Sequence, residues 1–528
     1  MRTTVHCEEY LDTIENTRPS VFVWLVTLVV AGVDGFLFGY DTGVINGVLV
    51  TINNDLGFEL GDSNKQLLTS IISAGALISA CVAGYVADRW GRKAVLWYST
   101  IVFTIGSLLQ AVSWHFAQMV VGRFIVGIGV GAAAMVVPLY IAELAPTRFR
   151  GRLVVIDVLC ITGGQLIAYG IDAAFANVKY GWRFMVGLGG VPSFCLFFIL
   201  PILPETPRHL VRCGRIDEAK KVIRRTFPNG NEDMIQRKIN ILVAVNTLAA
   251  EFRKSLKSTL VEMYCKGENL RALIVACGIM ATQQFSGFNT LMYYSSTIFK
   301  SIGWSSPIGV GTTIAATNFL FTCVSLKYID IVGRRRMLIY TMWGMTVGLI
   351  GAAIGFHYIP KDSLGNIIVT FGAPSTGAII VLVCMLFFVA SYATGLGNVP
   401  WQNNELFPLS VRALGTTMMT ACNWGPNLIV SSTFLSLMNA ITPSGAFGLY
   451  AGICFVGWIA AILFFPEVSG MPLEDIQQVF KHGFGVRYAE KLRKERKVID
   501  RKNAQNMQPP VTYISQIQDT GLRRSTLT

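Results

Sequence analysis

The chain has 528 residues, 52% of them hydrophobic and only 14% charged, with a mean hydropathy of +0.51. Soluble globular chains carry about 25% charged residues, so this composition excludes an ordinary water-soluble enzyme or binding module. The net charge of +13 could suggest a nucleic-acid partner, but its placement in alternate loops between apolar runs points to membrane topology instead.

The first twenty residues are polar. The apolar run that follows is too long for a secretory signal and lacks a small-residue cleavage site, so it reads as a retained first helix. A membrane span needs about 20 apolar residues. By that criterion about twelve segments qualify, near 21–48, 66–87, 94–112, 117–140, 153–176, 184–203, 270–298, 307–328, 337–358, 376–404, 414–438 and 445–466. They split six and six around a hydrophilic stretch, 204–268, which reads as short amphipathic helices. The expected organisation is a tail 1–20, a six-helix bundle 21–203, a cytoplasmic linker 204–268, a second six-helix bundle 269–466 and a polar tail 467–528.

Basic residues occupy alternate loops. They include Arg89, Arg92 and Lys93, then Arg148, Arg150 and Arg152, then a dense set from Arg208 to Lys266, then Arg334, Arg335 and Arg336, and the tail from Lys481 to Arg524. The intervening loops hold Lys65, Lys179, Arg183, Lys300 and Lys361. Positive residues collect on the cytoplasmic side, which places both termini and the linker there, with lipid contact and no nucleic-acid partner. Eight of the 11 cysteines, including Cys160, Cys277 and Cys422, lie inside apolar segments without paired spacing. They read as small apolar filler, with no disulfide framework and no metal site. His6, His115, His209, His357 and His482 are scattered and read as surface residues. No catalytic triad or phosphate loop is present, and Gly127, Gly129 and Gly131 suit close helix packing better than nucleotide binding. The chain is read as a non-enzyme without cofactors.

The two halves repeat one another. Pro138, Glu143, Leu144, Pro146 and Arg150 recur, with identical spacing, as Pro400, Glu405, Leu406, Pro408 and Arg412. Pro204-Glu205 recurs as Pro466-Glu467, and Asp88-x2-Gly91-Arg92 as Asp330-x2-Gly333-Arg334. Parallel repeats about an axis along the membrane normal are one way to build a transporter.

The stretch from Gly84 to Lys93 resembles the signature that follows the second helix of the major facilitator superfamily. Gly122-Arg123, Pro204-Glu205-Thr206-Pro207-Arg208 and Gln283-Gln284-x2-Gly287-x-Asn289 are similar to the sugar porter family. Within it, Phe288 to Tyr294, Gly397 to Gln402 and Pro466 to Gly470 resemble fungal proton-coupled myo-inositol transporters. Val468-Ser469 departs from the hexose porters, which usually have Thr-Lys there. The resemblance covers about 25–475 and implies an all-α membrane protein of twelve helices in two pseudo-symmetric bundles. It implies a plasma-membrane symporter for a small neutral polyol and a proton, for which a monomer suffices. Hexose or pentose transport, passive diffusion and a non-transporting nutrient sensor remain open alternatives.

Polar groups inside bilayer helices are costly. The amides Gln165, Gln283, Gln284, Asn289, Asn318 and Asn423 lie in expected spans, and amides donate and accept hydrogen bonds as polyol hydroxyls do. Interhelical bonding is their bland explanation; the resemblance assigns them to the substrate, with Trp401 and Trp424, and with Phe38 and Tyr293 as weaker members. Gly287, and Gly395, Gly397 and Pro400 ahead of Trp401, are expected to break their helices. Asp41 is an acid inside the first span. Its charge is expensive there, so a protonated form becomes accessible near neutral pH. Arg123 is its natural countercharge, and the resemblance gives the pair proton coupling; a fixed ion pair is the alternative. Asp34, seven residues earlier, would share its helical face. Asp88, Arg89, Arg92, Glu143, Arg148, Arg150, Glu205, Asp330, Arg334, Glu405, Arg412 and Glu467 lie at cytoplasmic helix ends and are expected to form a gate of ion pairs, positive-inside topology being the plainer explanation.

Overall fold

The computed structural model describes residues 20–145, 150–251, 256–360, 374–408, 410–468, 471 and 473–494. Among them every regular element is helical. In chain order they are α1 (Val21–Ala31), a π-turn (Gly32–Phe36), α2 (Leu37–Thr51), α3 (Asp62–Trp90), α4 (Arg92–Ala111), α5 (Phe116–Leu144), α6 (Arg150–Phe175), α7 (Gly181–Leu188) and α8 (Gly190–Ile199). The polar stretch contributes α9 (Pro207–Arg212), α10 (Ile216–Thr226), α11 (Glu232–Glu251) and α12 (Leu256–Cys265). Then come α13 (Gly267–Phe285), α14 (Phe288–Ser301), α15 (Pro307–Val332), α16 (Arg334–His357), α17 (Thr376–Thr394), α18 (Arg412–Phe464) and α19 (Leu473–Lys481).

Nine helices among the described residues are long and apolar enough to cross a membrane. Several expected spans are interrupted, and each interruption has a local cause. The run 270–298 divides at Gly287, whose φ of +81° is costly for any residue with a Cβ. The run 376–404 leaves helical geometry after Thr394 and resumes as a 3-10 turn at Pro400–Leu406. Conversely, α18 covers the last two expected spans in 53 residues, but Ile441 and Thr442 are non-helical and Pro443 follows them.

The first span holds a feature that its sequence does not announce. The π-turn at Gly32–Phe36 inserts one residue between α1 and α2. The period that set Asp34 over Asp41 is therefore broken between them, and the Asp34 side chain lies outside the described residues.

Close packing follows the small residues. Gly35, Gly39, Gly43 and Gly47 recur every fourth position, on one face, and α6 lies against all four. A Cβ on Gly39 would overlap the Ile161 carbonyl, and one on Gly43 would press on Ala168. Gly127 and Gly131 of α5 meet Ile72 and Ala76 of α3 in the same way, while Gly129 faces Ser99 and Phe103 of α4. Without a hydrophobic force between helices in lipid, such backbone contact is a main source of association. Among the described residues no disulfide forms, and Cys81, Cys195 and Cys323 are exposed on the helix surfaces and not buried as filler.

Candidate functional site

A cavity of about 60 Å³ lies between the two halves. Phe38, Val158, Ile161, Thr162 and Gln165 line it from α2 and α6. Gln283, Gln284, Phe288, Asn289, Asn318, Thr322, Tyr392, Ala393, Gly397, Asn398, Trp401, Asn423 and Asn427 line it from the second half. Among the described residues, no carboxylate or basic side chain is in this lining.

The helix breaks assemble the amides. The turn at Gly287 folds α14 back far enough for Asn289 Nδ2 to donate to Gln284 Oε1 at 2.6 Å. Gln284 in turn donates to Asn423 Oδ1. Gln283 Nε2 donates to the carbonyls of Leu396 and Gly397 at 2.9 and 3.0 Å, in the segment that unwinds after α17. Across the cavity, Asn318 Nδ2 donates to Gln165 Oε1 at 2.9 Å. All six expected amides thus border one space. Asn427 was not singled out in the sequence. It lines the cavity and donates to the Tyr293 hydroxyl at 3.1 Å and to Ser73 Oγ at 3.2 Å.

The aromatics divide. Phe38 and Trp401 line the cavity, joined by Phe288 and Tyr392, whose rings stack 3.7 Å apart. Trp424 and Tyr293 are not in the lining. Trp424 is buried and meets the Phe38 ring edge-on at 5.4 Å; Tyr293 sits behind Asn427. Each touches a lining residue and supports the wall from behind.

One turn beyond Phe38 on α2, Asp41 Oδ2 faces Arg123 Nη2 at 3.4 Å. Both are buried, and Arg123 is only 1% exposed. Arg123 is held in place by Leu68 O, 2.7 Å from Nε, and by Gln110 Oε1, 3.4 Å from Nη1. The long Asp41–Arg123 distance and the fixed arginine leave the acid as the movable partner.

The repeated charge motifs build the same local structure twice. Glu205 accepts from the Arg92 and Lys93 amides at 3.2 and 3.1 Å. Glu467 accepts from the Arg334 and Arg335 amides at 3.2 and 3.1 Å. A carboxylate is thus placed on the unsatisfied first amides of α4 and of α16. Gly91 and Gly333, with φ of +98° and +99°, make room for it, since a Cβ at either would overlap the carboxylate. Arg92 pairs with Asp88 at 3.0 Å and Glu143 at 3.1 Å, and Arg334 with Glu405 at 2.7 Å. Arg412 donates to Phe407 O, and Arg89 is exposed. Arg148 and the side chains of Arg150 and Asp330 lie outside the described residues.

These pairs stay within one half or the other. Besides the contacts across the cavity, Asn318 to Gln165, Asn427 to Ser73 and Trp424 to Phe38, the halves are joined at the opposite end of the helices. Asn46 donates to Ser296 Oγ at 2.7 Å and accepts from the Ser296 amide at 2.7 Å and from Ser295 Oγ at 3.1 Å. Tyr169 donates to Met292 O, and Gln66 pairs with Ser436 Oγ at 3.1 Å.

His209 corrects a sequence expectation. It is 6% exposed, with Nδ1 3.5 Å from Arg92 Nη1 and Nε2 3.4 Å from Cys213 Sγ. Burial lowers its affinity for a proton, and Arg92 and Arg212 lower it further, outweighing Glu143 and Asp88. The imidazole is therefore a neutral member of the charge cluster at neutral pH.

Described elements that are all helical, around a neutral, amide-lined cavity, define a class, and the comparisons agree. Residues 27–480 match the family model described as "Sugar (and other) transporter", and the chain belongs to that family. It is a multi-pass membrane protein. The chain is 45% identical to "Myo-inositol transporter 1" of Cryptococcus neoformans var. grubii over 90% of its own length and 84% of that protein. It is 42% identical to "Myo-inositol transporter 2" of Schizosaccharomyces pombe, over 93% and 87% respectively. Among solved structures, the proton:xylose symporter XylE bound to 6-bromo-6-deoxy-D-glucose superposes with a TM-score of 0.73 at 25% identity, covering 87% of this chain and 99% of XylE.

Proposed function

We propose that this protein imports myo-inositol together with a proton by alternating access. In this reading twelve spans form two pseudo-symmetric bundles, 21–203 and 269–466, joined by the cytoplasmic linker 204–268. Both termini are cytoplasmic, the membrane is the plasma membrane, and the clusters around Arg92 and Arg334 lie at the cytoplasmic ends.

The cavity carries this reading. Its described lining is rich in amides and free of carboxylates and basic side chains, which suits a neutral ligand whose hydroxyls donate and accept. Phe38, Phe288, Tyr392 and Trp401 offer apolar faces to the C–H groups of a cyclic polyol. The names of the relatives point to the same substrate. Closure of one end of the cavity by Asn46 and Tyr169 corresponds to the extracellular end being shut. Asp41, when protonated, no longer needs Arg123, and its neutral form lets the bundle reorganise around bound substrate.

The substrate is tested by competition. Uptake of labelled myo-inositol into proteoliposomes should be blocked by unlabelled myo-inositol and much less by glucose or xylose. Stronger competition by either sugar would assign the cavity to a hexose or pentose instead.

Gln283→Ala should weaken myo-inositol binding by about 1–3 kcal/mol, because a substrate hydroxyl in the cavity is left without its amide partner. Calorimetric titration reads this directly. An unchanged Kd would remove Gln283 from the site.

A further inference from the structure

The fifth apolar run carries two acids, and sequence reasoning used neither for function. Asp157 lies one helical turn before Ile161. Asp172 lies near the other end of α6 and is fully buried. Its Oδ2 accepts a single hydrogen bond, from the Gly47 amide at 2.9 Å. Its Oδ1 has no partner, and no ion pair to it occurs among the described residues. Gly47 is required for this contact, since a Cβ there would overlap the Asp172 carboxyl group.

Two titratable groups lie nearest Asp172, Tyr40 from α2 and Tyr169 one turn earlier on α6, and Asp41 is the next residue after Tyr40. Neither tyrosine gives it a proton. The Tyr40 hydroxyl donates to Met185 O at 2.6 Å, and the Tyr169 hydroxyl to Met292 O at 2.5 Å. A buried carboxylate with one hydrogen bond and no cation is severely under-solvated. The neutral acid is the form that fits this seat.

The seat adjoins the seam that joins the halves. Asn46, next to Gly47, grips Ser295 and Ser296, and Tyr169 grips α14. Gly311 of α15 closes over both Tyr169 and Asn46. We propose that Asp172 is a proton-binding site, open only to the extracellular side, that must be protonated for the seam between α2 and α14 to close. This rests on the symporter reading above, which supplies the sidedness. When α14 and α15 withdraw, water reaches this end of α2 and α6 and ionisation is no longer penalised.

The sign follows from linkage. The closed seam keeps the proton and the open seam can lose it, so external acid favours closure and external alkali favours opening. One linked proton changes the closed-to-open ratio by at most about tenfold per pH unit.

The test uses hydrogen exchange of the 288–301 amides in the full-length protein, corrected for intrinsic rates, between about pH 5 and pH 8. An Asp41→Asn background removes the titration of Asp41. Protection in that background should fall as pH rises, by up to about tenfold per unit. Adding Asp172→Asn should flatten the profile, and so should Asp172→Ser, which guards against an effect peculiar to asparagine. A profile already flat in the Asp41→Asn protein, or a slope that survives both Asp172 substitutions, overturns the proposal. Coupling of substrate to protons is read separately by transport, so its failure is distinguishable from this one.

Discussion

Asp41→Asn protein is expected to bind and exchange myo-inositol while losing the ability to concentrate it. Asparagine imitates the protonated acid permanently and cannot give the proton back. Symport of a neutral substrate with one proton moves one net charge, for which the membrane potential supplies about 2.3 kcal/mol per 100 mV. One pH unit adds about 1.4 kcal/mol. The sum, roughly 3.7 kcal/mol, sustains a gradient of several hundredfold, and the whole of it should vanish in the variant. Arg123 would then face a neutral amide, while its bonds to Leu68 and Gln110 keep it in place. Counterflow assays separate exchange from accumulation. Wild-type accumulation by Asp41→Asn would make the ion pair structural.

Gly39→Ala should be the most damaging small substitution in the first span. The new methyl would overlap the Ile161 carbonyl, which belongs to backbone and cannot rotate away. Overpacking usually costs about 1–3 kcal/mol where side chains can shift, and a backbone clash lies at or beyond the upper end. The control is Gly278→Ala, where nothing stands within 4 Å. There alanine should be neutral or stabilising by up to about 1 kcal/mol, because it is the better helix former. Thermal stability by gel filtration should separate the two variants. Equal melting would mean that α2 and α6 are not held by backbone contact.

Much of this was legible in the sequence because hydropathy and spacing report it directly. Gly287 and Pro400 mark helix breaks by their backbone chemistry, and the repeated Pro–Glu motif marks the carboxylates that cover the α4 and α16 amides. Other features depend on tertiary context. The π-turn at Gly32–Phe36 has no proline to announce it. His209 looked like a surface residue because nothing local shows that α9 lies over Arg92. Trp424 was expected at the cavity, but its neighbour Asn423 points there and the indole turns to Phe38. Asn427 was missed among the residues after Trp424 although a buried amide in a span is itself a signal. Asp172 carried the same signal, and only the structure shows that its one donor is a glycine amide.

The most direct test of the account is accumulation of labelled myo-inositol by wild-type protein in proteoliposomes, under an imposed inward proton gradient with the interior negative. Uptake should rise far above the external concentration and collapse when a protonophore is added. Uptake that stops at equal concentrations inside and out, with or without the gradient, would contradict it and leave a passive facilitator.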